Sequence, residues 1–210
     1  MNQRLPESFY QRDTIQVARE LLGKKLFHRT GKGITSGIII ETEAYLGHTD
    51  RAAHTFDNHR SKRVESMYLP EGHAYIYLIY GLHSCFNVVT KSTDEGEAVL
   101  IRALYPIDGL KKMYARRDLA LDSDKSKLCS GPGKLCEAMG LTRKQDGMSL
   151  QSSELWIEDT PLHFSKKLIK VGPRIGIENS REAKDLPLRF FVNFKEARLV
   201  IADLMSDARL

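Results

Sequence analysis

The apolar positions of this chain change their period several times, and each change predicts an element. After Asp13, apolar residues at Ile15, Ala18, Leu21 and Leu22 follow helical spacing. Asp13-Thr14-Ile15-Gln16 has the spacing of a capping box, and Gly23 stands where a helix C-cap belongs, so a short amphipathic helix is predicted over residues 14–22. Lys24 to His28 reads as a short strand. Gly31-Lys32-Gly33 turns it into a long β-branched run from Ile34 to Tyr45, which predicts an antiparallel hairpin. Gly47 to Lys62 is polar and irregular. Tyr75 to Tyr80 is an aromatic strand, Gly81 marks a second hairpin tip, and His83 to Thr90 returns, followed by a strand over Val99 to Leu104. Asp108 is placed to cap a helix running to about Arg117, Leu119 to Lys127 is a loop, and Ser130 is placed to cap a helix that Gly140 ends after Met139. Leu155–Ile157, Ile169–Val171, Ile175–Ile177 and Leu188–Phe194 read as four further short strands. With no internal repeat or linker, the pattern predicts one α+β domain over residues 1–210, mostly antiparallel.

Polar residues break into this pattern at one place of note. In Ile38-Ile39-Ile40-Glu41-Thr42-Glu43-Ala44-Tyr45 two carboxylates sit inside a buried-looking strand. Alternation puts Ile39, Glu41, Glu43 and Tyr45 on one face. A buried carboxylate is costly unless it is paired or used. The run therefore fits either a strand leaving the core with solvated glutamates or the floor of a cleft with an aromatic wall. Periodicity alone does not choose between Glu41 and Glu43. Arg102, inside Val99 to Leu104, needs an anionic partner, and either glutamate would serve, as a structural salt bridge or in a site. Tyr75 and Tyr77 are expected to point one way and Tyr80 the other. Beside Gly81, Tyr80 cannot lie deep in a core, and it is either an exposed turn residue or a wedge between base steps.

Composition narrows the classes. The 210 residues are 41% hydrophobic and 28% charged, ordinary for a soluble globular protein long enough to bury a core. No apolar stretch approaches membrane-spanning length, and Met1 to Pro6 lacks the apolar segment of a signal peptide, so a cytoplasmic location is expected. Cys85, Cys129 and Cys136 form no Cys-x-x-Cys pair, which fits reduced thiols. A net charge of +5 permits a polyanionic partner. His48, His54 and His59 share a loop, yet their spacing matches no compact zinc pattern. A metal-dependent hydrolase using them stands as one alternative, and a non-catalytic nucleic-acid-binding module as another. Gly131-Pro132-Gly133-Lys134 resembles a phosphate-binding turn without P-loop spacing, and its proline lacks an N–H, so it reads as a structural or DNA-backbone turn.

Several ordered motifs then resemble one family. Glu41 to Gly47 followed by Asp50 and Ala52-Ala53-His54, Gly72 to Tyr77 with Tyr80-Gly81 and Asn87, Arg102-Ala103-Leu104, Ser130 to Cys136, Pro173 to Ile177, and Pro187 to Phe190 are similar to the alkyladenine (3-methyladenine) DNA glycosylases, from about Leu5 to Phe194. The resemblance implies a curved antiparallel sheet with flanking helices and a projecting hairpin. It implies a monofunctional enzyme of base excision repair that acts as a monomer, with no metal or other cofactor and no membrane. Its partner would be double-stranded DNA carrying alkylated or deaminated purines such as 3-methyladenine, 7-methylguanine, hypoxanthine or ethenoadenine. By the same resemblance Glu43 is the general base, and Arg102 and the main chain near Ile177 hold the attacking water. Tyr45, His54 and Tyr77 sandwich the flipped base, Asn87 disfavours guanine, and Tyr80 fills the gap in the duplex. Arg60, Lys62, Arg63, Gly131 and Lys134 are the expected backbone contacts. The sequence departs from the family at Ser61-Lys62-Arg63-Val64, where a Thr-Pro-Arg-Asn-like run is common, and at Leu82, Ser84 and Tyr105.

Overall fold

The computed structural model describes residues 3–206, so residues 1–2 and 207–210 of the expected 1–210 domain lie outside the described residues. The chain runs α1 (Glu7–Tyr10), α2 (Thr14–Glu20), β1 (Lys25–Thr30), β2 (Gly33–Tyr45), β3 (Ala74–Ile79), β4 (His83–Thr90), β5 (Glu97–Pro106), α3 (Leu110–Arg116), α4 (Pro132–Met139), β6 (Leu155–Glu158), β7 (Lys170–Gly172), β8 (Arg189–Phe191) and α5 (Phe194–Ser206). All pairings are antiparallel, in the order β3-β4-β5-β2-β1-β6, with β8 added to β2 and β7 to β8. The sheet is curled and forms one α+β body with the helices. Among the described residues, no helix is long and apolar enough to cross a membrane.

The long strand β2 is the spine. Its first half pairs with β1, and its later residues Glu41 to Glu43 pair with β8, while β5 runs along the other side. The core lies where α2 and α4 cover the sheet, with Leu21, Ile38, Ile101, Leu104, Phe86, Leu135 and Phe190 fully buried. Thr42 points to this side and donates to the Ala18 carbonyl of α2 at 2.7 Å. Register between β2 and β5 breaks twice, around Ile40 and at Arg102, so one residue on each strand is left out of the ladder. Such irregularities re-aim side chains. Alternation therefore holds from Glu41 to Tyr45 but does not extend back through Ile39.

Several boundaries differ from the sequence expectations. Asp13 caps α2 through the Gln16 amide as expected. Asp108 does not cap α3: its carboxylate accepts from Ser36 Oγ and pairs with Lys25, and Gly109 is the cap residue, with φ of 75°. A Cβ at Gly109 would lie 2.6 Å from the Ile34 carbonyl, so close approach to β2 requires glycine there. Gly131, not Ser130, caps α4, because Pro132 fills the first helical turn and Ser130 bridges to Ala103. Residues 175–177 form no strand, and the strand expected through Phe194 ends at Phe191 and yields to α5. Apolar residues beyond Phe194, such as Ala197 and Ile201, are buried at helical spacing there.

Candidate active site

Glu43 has no exposed surface, and its carboxylate is reached by groups from two strands and a loop. Oε1 accepts from the Ile175 amide at 2.8 Å and lies 3.4 Å from an Arg102 Nη on β5. Oε2 accepts from the Tyr45 hydroxyl, two residues on along β2, at 2.9 Å. Burial pushes the Glu43 carboxyl above the ordinary carboxylate range and outweighs the lowering by Arg102, the Ile175 amide and Tyr45; Glu41 adds to the rise. A carboxylate held this way is a stronger proton acceptor than a solvated one. Arg102 takes both partners that sequence left open, since its Nε donates to Glu41 Oε1 at 3.3 Å.

Beside Glu43 opens a cavity of about 530 Å³, lined by its partners Tyr45, Arg102 and Ile175 and not by Glu43 itself, and within the size range of small-molecule sites, about 300–1,000 Å³. Tyr45, His54, Tyr77, Asn87, Arg102, Ile177 and Arg63 all line it. The ring of His54 meets Tyr77 edge-on at 4.5 Å, and its Nδ1 is 2.8 Å from the Tyr75 hydroxyl. Burial, with help from the nearby Arg63 and His59 charges, pulls the His54 pKa down to about 4, so its imidazole is neutral at physiological pH. Asn87 is buried, and its Nδ2 donates to the Tyr75 carbonyl at 3.1 Å, which fixes the side-chain amide. His48 and His59 are exposed on the surface. Among the described residues, no three His, Cys, Asp or Glu side chains are grouped to hold a metal ion.

The wall has a support that sequence reasoning did not assign. Arg174 and Asp50 form a buried bidentate pair at 2.5 and 2.8 Å. Arg174 also donates to the Ala44 carbonyl at 2.9 Å, and its guanidinium sits 4.7 Å from the centre of the Tyr45 ring. Arg174 does not line the cavity, so it backs Tyr45 from behind. Asp50 in turn accepts from the Leu46 and Ala52 amides, both at 3.0 Å. The pair ties the irregular loop after β2 to the segment that carries Ile175. Asp50 stands in a polar, irregular stretch and Arg174 between two runs read as short strands, and neither pattern marks a buried charge. Only their matched signs offered a signal.

Residues 8–196 match the family model described as methylpurine-DNA glycosylase. The chain belongs to the methylpurine-DNA glycosylase family. It is 47% identical over 192 residues to a protein of Bacillus cereus (strain G9842) named "Putative 3-methyladenine DNA glycosylase", covering 89% of this chain and 94% of that one. A protein of the same name from Bacillus anthracis (strain CDC 684 / NRRL 3495) is 46% identical over the same shares.

In this glycosylase the hairpin β3–β4 projects beside the cavity. Tyr80 is not part of β3; it and Gly81 occupy the turn with φ of 52° and 69°, and Tyr80 is 91% exposed. The expected alternation with Tyr77 therefore does not define its direction. The basic residues of the rim divide. Lys62 and Lys134 are exposed, and Arg63 faces the cavity. Arg60 is engaged by Glu65 at 2.6 Å and Asp94 at 2.9 Å over the Tyr68 ring. The Gly131 amide is already used, donating to the Arg102 carbonyl at 3.1 Å.

Proposed function

We propose that the cavity receives a damaged purine turned out of double-stranded DNA, and that Glu43 activates the water that hydrolyses its N-glycosidic bond. The observation that carries this reading is the buried, proton-attracting carboxylate whose partners Tyr45, Arg102 and Ile175 line an aromatic cavity. A base inside a duplex is out of reach, and extruding it costs a few kcal/mol. The exposed Tyr80 fills the gap left in the stack, an interaction of about 1–3 kcal/mol by analogy with single-strand stacking platforms. The base then lies among Tyr45, Tyr77 and His54. Alkylated purines such as 3-methyladenine are cationic, and each tyrosine face attracts such a cation by roughly 0.5–2 kcal/mol. A neutral His54 adds no repulsive charge to that wall.

As the bond between sugar and base lengthens, positive charge grows on the sugar carbon. The Glu43 carboxylate stabilises it and takes a proton from the water that attacks the same carbon, while Arg102 and the main chain near Ile177 hold that water. The electron pair of the broken bond leaves with the purine, and the sugar gains the hydroxyl, giving an abasic site. No lysine lines the cavity among the described residues, which supports a monofunctional reaction through water rather than an amine adduct. The substrate class is alkylated or deaminated purines: 3-methyladenine, 7-methylguanine, hypoxanthine and ethenoadenine. The protein acts as a monomer on DNA.

Single-turnover base release from duplexes carrying each lesion, with a chelator present throughout, tests the reading. Glu43→Gln keeps the shape but loses the charge and the proton acceptor. Its rate should fall by about 10²–10⁴-fold or more, with lesion-duplex affinity within a few-fold of the parent. Excision near the parent rate by a folded Glu43→Gln protein refutes the assignment.

A further inference from the structure

We propose that Glu41 is a positioning residue: through two arginines it fixes both Arg102 and the Ile175 amide, two of the donors that hold Glu43. This rests on the assignment of Glu43 as the base. Glu41 Oε1 accepts from Arg102 Nε at 3.3 Å and from an Arg189 Nη at 3.0 Å. Arg102 then presents an Nη to Glu43 at 3.4 Å. Arg189 uses its Nε on the Pro173 carbonyl at 2.8 Å, and Pro173 is two residues before the amide that Glu43 accepts at 2.8 Å. One carboxylate oxygen thus sets the position of a side-chain donor and of a main-chain donor. The register break between β2 and β5 at Arg102 is what lets the arginine bridge both glutamates.

The surroundings support a role beyond packing. A second cavity of about 410 Å³ lies behind Arg102 and is lined by Glu41, Arg189 and Ile175, so the network is bounded by open space rather than by core. The ionisable groups facing Glu43 are Glu41 and Tyr45 on β2, Arg102 on β5, Tyr77 on β3 and Cys85 on β4, with Arg189 opposite it on β8. Burial keeps Tyr45 and Tyr77 in the phenol form and holds the Cys85 thiol up at about 11. The charges that act on Glu43 at neutral pH are therefore Glu41 and Arg102, and Arg189 acts through Glu41, which it pairs with. Losing the Glu41 charge alone would make Glu43 a weaker proton acceptor, whereas losing the donors that Glu41 holds makes it a stronger one.

The test is the pH profile of single-turnover base release, with lesion-duplex affinity and thermal unfolding recorded alongside, for Glu41→Gln, Arg189→Gln and Glu43→Gln. Glu41→Gln should lose about 10- to 100-fold in rate, the scale of a misplaced reacting group, with little change in affinity. The acidic limbs of Glu41→Gln and Arg189→Gln should both move to higher pH, because each substitution releases a donor, Arg102 or the Ile175 amide, that lowers the Glu43 pKa. A limb that moves to lower pH in Glu41→Gln marks a lost charge with the donors still in place and overturns the proposal, whereas a packing defect alone would move neither limb. If Glu41→Gln does not fold, Arg189→Gln carries the test, and an unmoved or lowered limb overturns the proposal. Unmoved limbs in both variants, with Glu43→Gln inactive, overturn it while leaving the base assignment standing. An active Glu43→Gln protein strikes the base assignment itself.

Discussion

Arg174→Met isolates the clamp behind the pocket wall. In the parent protein the guanidinium satisfies both oxygens of Asp50, at 2.5 and 2.8 Å, and the Ala44 carbonyl, with both charged side chains almost fully buried. The substitution preserves much of the volume but leaves Asp50 with only the Leu46 and Ala52 amides. Breaking a buried pair by removing one partner costs about 3–5 kcal/mol, a large share of the roughly 5–15 kcal/mol that holds a domain folded. Burial acts to raise the Asp50 pKa, yet hydrogen bonds and charge from Arg174, helped by the two amides, bring it below the ordinary value. Asp50 thus contributes stability that is present above the ordinary carboxylate range and is lost as pH falls through its depressed folded value. Without Arg174 the sign reverses: the buried carboxylate destabilises at neutral pH, and protonation relieves it. Urea unfolding at pH 7 and pH 4 should therefore show a gap between parent and variant of about 3–5 kcal/mol that narrows at pH 4. The double variant Asp50→Leu/Arg174→Met should recover part of the loss at pH 7, since no buried charge remains. A gap under about 1 kcal/mol, the scale of an exposed ion pair, or one equal at both pH values, refutes the account.

Other consequences are open to direct measurement. Tyr80→Ala should weaken lesion-duplex binding by about 1–3 kcal/mol and leave the unfolding midpoint nearly unchanged, because the ring is exposed; a variant that cannot be purified folded would place Tyr80 in the core. Asn87→Ser should raise release of guanine-derived relative to adenine-derived bases, since the fixed amide in the cavity is lost, and an unchanged ratio removes Asn87 from selectivity. His54, with a folded pKa of about 4, binds fewer protons than in the unfolded chain between that value and the ordinary 6.5. Its contribution is present above pH 6.5 and lost as pH falls toward 4, about 3 kcal/mol at 1.36 kcal/mol per unit. Denaturant titrations of His54→Phe should show a correspondingly smaller decline across that window, and an identical decline counts against a buried neutral imidazole.

Elements with a clean period or a local cap were legible from the chain. The β2 run, the aromatic strand returning through His83 to Thr90, and the Asp13 cap all appear near their expected bounds. Elements set by tertiary competition were not. Asp108 had the chemistry of a cap, yet Ser36 and Lys25 claim its carboxylate. Phe190, Val192 and Phe194 alternate like a strand, but the chain turns into α5 after Phe191. At the site, alternation put Glu41, Glu43 and Tyr45 on one face, and their shared contacts agree with it. The partners of Glu43 were harder to foresee. One is a main-chain amide from Ile175, 132 positions away, and main-chain donors carry no residue signature.

With Tyr80 in the gap-filling role proposed above, the hairpin tip would have a kinetic consequence. Tyr80 holds a left-handed backbone conformation, which is unfavourable for a bulky L-residue and common for glycine or asparagine. The Leu82 amide closes the turn on the Ile79 carbonyl at 3.1 Å, so the ring is carried on a short, hydrogen-bonded turn. A rigid probe loses little freedom each time it touches a duplex. In that role it would touch many base steps briefly and stay only where the stack already yields. The awkward backbone at residue 80 would then set how fast a genome is searched.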